Sequence, residues 1–370
     1  MKERYLRQLQ LPDIGPLGQQ KLANLKVLCI GAGGLGCSAL YYLAAAGVGK
    51  IGICDEDVVT LDVLQRQILY REENIGVLKA KAAAKHLSAF NSEIAIDVIP
   101  HYLSPENALD LISRYDIILD TADNFEATLL INDACHAFGK PWIHGSVQRF
   151  TGQCGFFHAP YTPCWRCLYE NTDNSAPNCD ELGVLGTVPG MVGTLQAMEA
   201  IKFGLELNDS LKGSLWVWDF LKGVPKIYQL SDNPHCPLCT NSKDFGTLWG
   251  LYPHSKEKGV SLHQITVPEL IERLVANEDI FMLDVRNEDE YQAFNIEGHL
   301  IPLPQLSARI GELPRDKPIV IYCRSGQRSQ TGLELLQQMG FTQVQNLDGG
   351  LLAWVKFLGQ PHSHHGGGCC

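Results

Sequence analysis

The stretch from Leu25 to Asp55 constrains this chain more than any other. An apolar run, Val27-Leu28-Cys29-Ile30, meets a glycine turn, Gly31-Ala32-Gly33-Gly34-Leu35-Gly36. An apolar helix-like segment from Cys37 to Ala46 follows, and then a second apolar run, Lys50-Ile51-Gly52-Ile53-Cys54, closes on Asp55. A buried strand that breaks at glycines and resumes as a helix aims backbone N–H groups and the helix's positive end at whatever lies above the turn, which suits a phosphate. Asp55, at the end of the next strand, is placed to accept hydrogen bonds from a ribose. The spacing Gly31, Gly33, Gly36 in this context predicts a nucleotide site but does not tell NAD from ATP.

Beyond Asp55 lies an irregular piece, Glu56 to Tyr70, containing Gln65-Arg66-Gln67, and then a helix predicted over Ile75 to Asn91. Strands are predicted at Ile94 to Ile99 and Asp116 to Leu119, a helix from Glu126 to Phe138, and a strand from Pro141. Strands alternating with helices imply an α/β fold with a mostly parallel, doubly wound, Rossmann-like sheet whose ligand lies beyond the carboxyl ends of its strands. Past residue 150 the pattern changes to shorter strands and one helix, Val192 to Leu205. Asn171 to Gly186 has the composition of a loop and carries Cys179. Residues 242–261 show no period and read as a linker. A second, smaller α/β unit occupies 262–358, and the tail 359–370, with its His, Gly and Cys, cannot pack a core and is expected to be disordered.

Composition excludes some classes. A net charge of -11 offers no basic footprint for nucleic acid. Neither a long apolar run nor a signal-peptide core is present, so a soluble, cytoplasmic protein that does not enter membranes is expected. Thirteen cysteines in such a chain point to metal or thiol chemistry rather than disulfides.

Two hooks, Cys164-Trp-Arg-Cys167 and Cys236-Pro-Leu-Cys239, supply four thiolates suited to a tetrahedral structural zinc, with no position left for catalysis. Cys323 follows an apolar strand and opens the loop Cys323-Arg324-Ser325-Gly326-Gln327-Arg328-Ser329, which leads into a helix. Successive N–H groups in such a loop form an anion nest that favours a thiolate or a persulfide. A phosphatase loop has five residues between its cysteine and arginine. Here four intervene, so the smaller loop favours sulfur.

Residues 1–241 resemble the MoeB/ThiF family, relatives of the ubiquitin-activating enzymes that adenylate the C-terminal glycine of small sulfur-carrier proteins. The resemblance rests on Arg4-Tyr5-x-Arg7-Gln8, the glycine turn, Asp55, Gln65-Arg66-Gln67, Lys79, Thr121-Ala122-Asp123-Asn124, both cysteine hooks, and Leu195 to Lys202. Residues 262–358 resemble a rhodanese domain through Asp284-Val285-Arg286, Glu290, Gly298-His299, the Cys323 loop and Gly349-Gly350-x-x-Ala353-Trp354.

The first resemblance implies that Gly31, Gly33, Gly34 and Gly36 lie against ATP and that Asp55 holds the ribose. Arg66 and Lys79 would grip the phosphates, Asp123, followed by Asn124, would place Mg2+, and Arg7 would reach the nucleotide of a neighbouring subunit in a homodimer. Cys179 matches a loop cysteine proposed to attack the activated carboxyl or to share in an acyl disulfide, and Cys323 would carry sulfane sulfur. The implied partners are a small ubiquitin-like sulfur carrier, of the kind used for molybdopterin or thiamine synthesis, and an upstream sulfur donor, either a cysteine desulfurase or thiosulfate. One position departs from the pattern: Val63 stands where the family has an asparagine that touches the nucleotide. The rival readings are a nicotinamide-dependent oxidoreductase, which shares the glycine turn, and a zinc-clipped scaffold with a degenerate nucleotide site, for which Val63 is the hint.

Overall fold

The computed structural model describes residues 3–169, 183–207, 210–240, 264–324 and 326–358. Cys179, the 242–261 stretch and the 359–370 tail lie outside the described residues. The chain divides into two compact units, Met1–Ser255 and Lys256–Cys370.

In the first unit the strands are β1 (Lys26–Ile30), β2 (Lys50–Cys54), β3 (Ala95–Ile99), β4 (Ile117–Asp120), β5 (Trp142–Gln148), β6 (Thr151–Phe157), β7 (Ser214–Asp219) and β8 (Val224–Gln229). Their order is β3-β2-β1-β4-β5-β6-β7-β8. The pairs from β3 to β5 are parallel and those from β5 to β8 antiparallel. Alternate residues of β1 feed opposite cores: Val27 and Cys29 pack on one face, Leu28 and Ile30 on the other. That is why the strand reads as a continuous apolar run. Ile30 is in register with Cys54 and with Asp120, so Gly31, Asp55 and Thr121 emerge side by side at the carboxyl edge.

The expected helix over Ile75 to Asn91 is shorter, Lys79–Phe90. Gly76 takes φ +84 and gives its N–H to Val59 O, while Val58 and Leu78 form an isolated bridge. This pairing consumes the backbone that a helix would need and sets Lys79 beside Asp57. The helix expected over Val192 to Leu205 begins earlier, at Thr187, because Pro189 falls in the first turn, where no N–H partner exists to be lost. A helix at Pro105–Ser113, capped by Ser104 and Asn107, is an addition to the sequence reading.

The second unit has β9 (Gln264–Ile265), β10 (Phe281–Asp284), β11 (His299–Leu300), β12 (Ile319–Tyr322) and β13 (Val344–Leu347), all parallel, in the order β11-β10-β12-β13-β9. Buried clusters cover both faces. β9 and the closing helix Gly350–Leu358 are again additions to the sequence reading.

Candidate functional site

The glycine turn divides its residues between packing and access. Gly31 has φ +98, and a Cβ there would lie 2.7 Å from Thr121 O; one at Gly36 would lie 2.2 Å from Gly31 O. These two close the strand onto the helix Gly34–Ala46. Gly34 packs against Pro189 of the helix Thr187–Gly204, 3.1 Å from its built Cβ. Gly33 differs: its Cβ would come near one atom only among the described residues, Gln67 Nε2 at 3.7 Å. The backbone here is open to a close approach. Gln67 itself is buried, and its Oε1 has no hydrogen-bond partner among the described residues. An accessible glycine at a helix start, with an orphaned buried amide oxygen beside it, fits a polar ligand above the turn.

Asp55 ties this turn to its neighbours. Its Oδ2 accepts the Ala32 N–H at 2.7 Å and its Oδ1 accepts the Asp57 N–H at 2.9 Å. Burial pushes Asp55 above the usual carboxylate range, with Lys79 and the Ala32 N–H pulling the other way. Lys79 opens its helix with its backbone N–H on Asp57 O at 2.7 Å and its Nζ on Asp57 Oδ2 at 2.9 Å. Its side chain is only 8% exposed. Burial pulls the ammonium down, but Asp55, then Asp57, and more weakly Asp123, outweigh it and leave Lys79 above its ordinary value. Asp57 and Tyr102 were missed from sequence: the Tyr102 hydroxyl donates to Asp57 Oδ1 at 2.5 Å.

The remaining expected residues fall as follows. Arg66 is half-buried, with its NH1 on Asp62 O at 3.1 Å. Asp123 is exposed just beyond β4. Asn124 is the N-cap of the helix Phe125–Ala137, accepting the Ala127 N–H at 2.8 Å. Arg7 is exposed, with its NH1 on Gln10 Oε1 at 3.4 Å, on a short helix at the chain's start. Val63 packs into the apolar core. The turn, Asp55 and Lys79 are therefore brought together, Asp123 adds a weak electrostatic pull on Lys79, and Arg7 stands on a separate local contact to Gln10.

Behind β4 lies a buried polar group that the sequence reading did not assign. Asp120 Oδ2 contacts His144 Nδ1 at 2.8 Å and accepts from Thr128 Oγ1 at 2.9 Å, and its backbone carbonyl accepts from Gln196 Nε2. The His144 ring lies 4.3 Å from that of Trp165. Trp165 and Arg166, the two residues inside the first cysteine hook, grip the helix Phe125–Ala137. The Trp165 N–H donates to Asn132 Oδ1 at 2.8 Å, and Arg166 forms a two-pronged pair with buried Asp133.

The four sulfurs of Cys164, Cys167, Cys236 and Cys239 all lie within 4.8 Å of one another. Three separations are 3.8, 3.6 and 3.7 Å. A tetrahedral ion with metal–sulfur bonds of about 2.3 Å holds its sulfurs about 3.8 Å apart, so the cluster fits one. Hydrogen bonds from the thiols of Cys164 and Cys239 hold Cys167 well below the usual thiol range.

In the second unit Cys323 is buried at the end of β12. Its Sγ accepts from the Gly326 N–H at 3.2 Å and from Ser329 Oγ at 3.4 Å. Asn346 Nδ2 holds Gly326 O at 3.1 Å, and the first N–H groups of the helix Gly350–Leu358 bind the carbonyls of Cys323 and Arg324. A Cβ at Gly350 would lie 2.5 Å from Cys323 O, which accounts for the paired glycines. Glu290 receives both NH groups of Arg328, at 2.7 and 2.8 Å, and Arg286 pairs with buried Asp284. The arrangement presents donors to one sulfur atom.

Among the described residues no helix is long and apolar enough to cross a membrane. The ThiF family model matches residues 5–238 and the rhodanese-like domain model residues 266–357. The adenylyltransferase/sulfurtransferase MoeZ of Mycobacterium tuberculosis is 38% identical over 367 residues, 97% of this chain and 93% of that protein. The adenylyltransferase and sulfurtransferase MOCS3 of Sus scrofa is 36% identical over 388 residues, 95% of this chain and 85% of its own. The crystal structure of Escherichia coli MccB with ATP superimposes with a TM-score of 0.56 at 25% identity, over 65% of this chain and 75% of that one. The glycine turn and Cys164, Cys167 and Cys236 lie inside the ThiF match, and the sulfur-facing loop lies inside the rhodanese-like match: the chain belongs to the ThiF family, in the form that carries a rhodanese-like domain after its ThiF domain.

Proposed function

We propose that this chain is an ATP-dependent adenylyltransferase joined to a sulfurtransferase. The first unit activates the C-terminal glycine of a ubiquitin-like sulfur carrier, and the second supplies sulfur to it. The carboxylate attacks the α-phosphorus of ATP and pyrophosphate departs. Negative charge builds on the leaving oxygens, and Lys79 and Arg66 are the cations suited to meet it. Asp55 serves the ribose, Asp123 holds Mg2+ with Asn124 beside it, and Gly33 lets the backbone approach the phosphates. The acyl adenylate is a mixed anhydride, so the outer sulfur of a Cys323 persulfide displaces AMP. A second thiol, with Cys179 the candidate within this chain, then cleaves the disulfide to release a thiocarboxylate.

The observation that carries this reading is the pairing, in one chain, of an open glycine turn tied to Asp55 with a loop whose donors converge on Cys323 Sγ. The names of the MoeZ and MOCS3 relatives support it. Zinc is the ion the four cysteines suit, in a structural role. A homodimer in which Arg7 reaches across to the partner's nucleotide would give a role to an arginine whose contact among the described residues is the local one to Gln10. The sulfur donor is a source of sulfane sulfur, either a cysteine desulfurase through its own persulfide or thiosulfate with sulfite as the leaving group.

The test is exchange of labelled pyrophosphate into ATP by the purified chain with Mg2+ and candidate carriers, followed by intact mass of the carrier for a gain of AMP and then of sulfur. Failure to exchange with any carrier that the protein binds would overturn the reading. Bound NAD after purification would favour the oxidoreductase instead.

A further inference from the structure

Two carboxylates face one ammonium in the nucleotide site, and the structure gives the ammonium to the one that sequence reading passed over. Lys79 Nζ lies on Asp57 Oδ2 at 2.9 Å, while Asp55 also draws it electrostatically. Asp57 is bound on every side: its N–H donates to Asp55 Oδ1, its carbonyl accepts the Lys79 N–H, and its Oδ1 accepts the Tyr102 hydroxyl. Tyr102 is in turn fixed by its N–H on Glu56 Oε2 and its carbonyl on Asn107 Nδ2. A lysine ammonium has three N–H donors, so a partner that takes one leaves donors for a second anion.

We propose that Asp57 is a positioning residue of the adenylation site: it anchors the Lys79 ammonium so that the remaining donors meet phosphate and Asp55 keeps its oxygens for the glycine turn and the ribose. This inference rests on the function proposed above. Without Asp57, a lysine this buried still needs a carboxylate, and Asp55 is the buried one that also draws the ammonium. The ammonium would then occupy the group that orders Ala32 and receives the sugar, and both halves of the nucleotide site would lose definition. Tyr102 supports the same arrangement by fixing Asp57's other oxygen.

A double-mutant cycle on Mg·ATP binding, measured by calorimetry on the full-length protein, tests this. It comprises wild type, Asp57→Asn, Lys79→Met and the two together. Asp57→Asn is expected to weaken binding about five-fold or more when Lys79 is present and less than about two-fold in the Lys79→Met background, because Asp57 acts through Lys79. A residue that merely stabilised the fold would cost the same in both backgrounds. Equal losses, no loss, or tighter binding by Asp57→Asn each overturn the inference. If Asp57→Asn does not fold, the exposed Tyr102→Phe replaces it in the same cycle, with an expected loss of about two-fold seen only alongside Lys79. A wild-type chain that binds no Mg·ATP overturns the function reading and this inference together. A wild-type chain that binds it with an additive cycle overturns this inference alone.

Discussion

The two units solve the same local problem in opposite ways. In each, a buried parallel strand runs into a short loop with one glycine at positive φ, Gly31 at +98 and Gly326 at +94, and then into a helix. In the second unit the loop curls around its own residue: the Gly326 N–H and Ser329 Oγ point at Cys323 Sγ, and the loop's carbonyls are held by the helix Gly350–Leu358. In the first, Asp55 takes the Ala32 N–H, and the Gly33 position stays open. A helix start with a nucleophile inside becomes a carrier of a covalent group. The same start with a carboxylate beside it and empty backbone above it becomes a place for a visiting anion. What differs is where the donors end, not the strand–loop–helix unit itself.

The sharpest way to break this comparison is to remove one chemistry and look for the other. Lys79→Ala should abolish carrier adenylation and leave persulfide loading of Cys323 intact, and Cys323→Ala should do the reverse, both read by intact mass. If either change removes both activities in folded protein, the two units are not separate. If the four cysteines hold an ion, chelation or Cys236→Ser should cost several kcal/mol, because the site would cross-link segments far apart in the chain. Scanning calorimetry should show a lowered transition while sulfur loading is retained.

Next come the glycines. Gly36→Ala places a methyl 2.2 Å from Gly31 O and should destabilise the first unit by about 2–3 kcal/mol, seen in denaturant unfolding. Gly33→Ala should cost about 1 kcal/mol or less, since its methyl meets only a flexible amide, yet it should weaken ATP binding. Equal stability costs would contradict the division between packing and access.

The smallest expected effect is on pH dependence, and it has opposite signs in the two units. Glu290 is held below the usual carboxylate range by hydrogen bonds from Arg328, so the stability this pair contributes is present above the ordinary glutamate range and is lost as pH falls through the lowered value. Asp55 is raised by burial, so acid relieves a cost rather than removing a gain. Glu290→Gln should flatten the acid limb of the second unit's thermal midpoint, and Asp55→Asn should not flatten that of the first.

Much of this was legible in the sequence where a single physical rule decides. The glycine turn, both cysteine hooks and the Cys323 loop each combine residue types and spacings that few other arrangements need, and the apolar β1 run announced a strand buried on both faces. Asp57 and Tyr102 were not legible, because their partnership joins β2's end to a segment 45 residues later, and nothing local marks an exposed tyrosine. The Asp120–His144 contact was hidden likewise: it crosses between two strands, and only the parallel register of β4 and β5 makes Asp120 and His144 neighbours. The helix Pro105–Ser113 did carry a local signal, Ser104 followed three residues on by Asn107, which the reading passed over. Val63, which stands where the family has an asparagine, lies in the apolar core, and its backbone carbonyl accepts the N–H groups of Arg66 and Gln67.

The four-cysteine cluster joins sulfurs 72 positions apart in the chain. Once an ion holds them, everything between, from the Cys179 segment to the β7–β8 hairpin, becomes a closed ring fastened at one point. During synthesis that fastening waits for Cys239 to emerge, so the nucleotide-binding half is complete in composition well before it is locked.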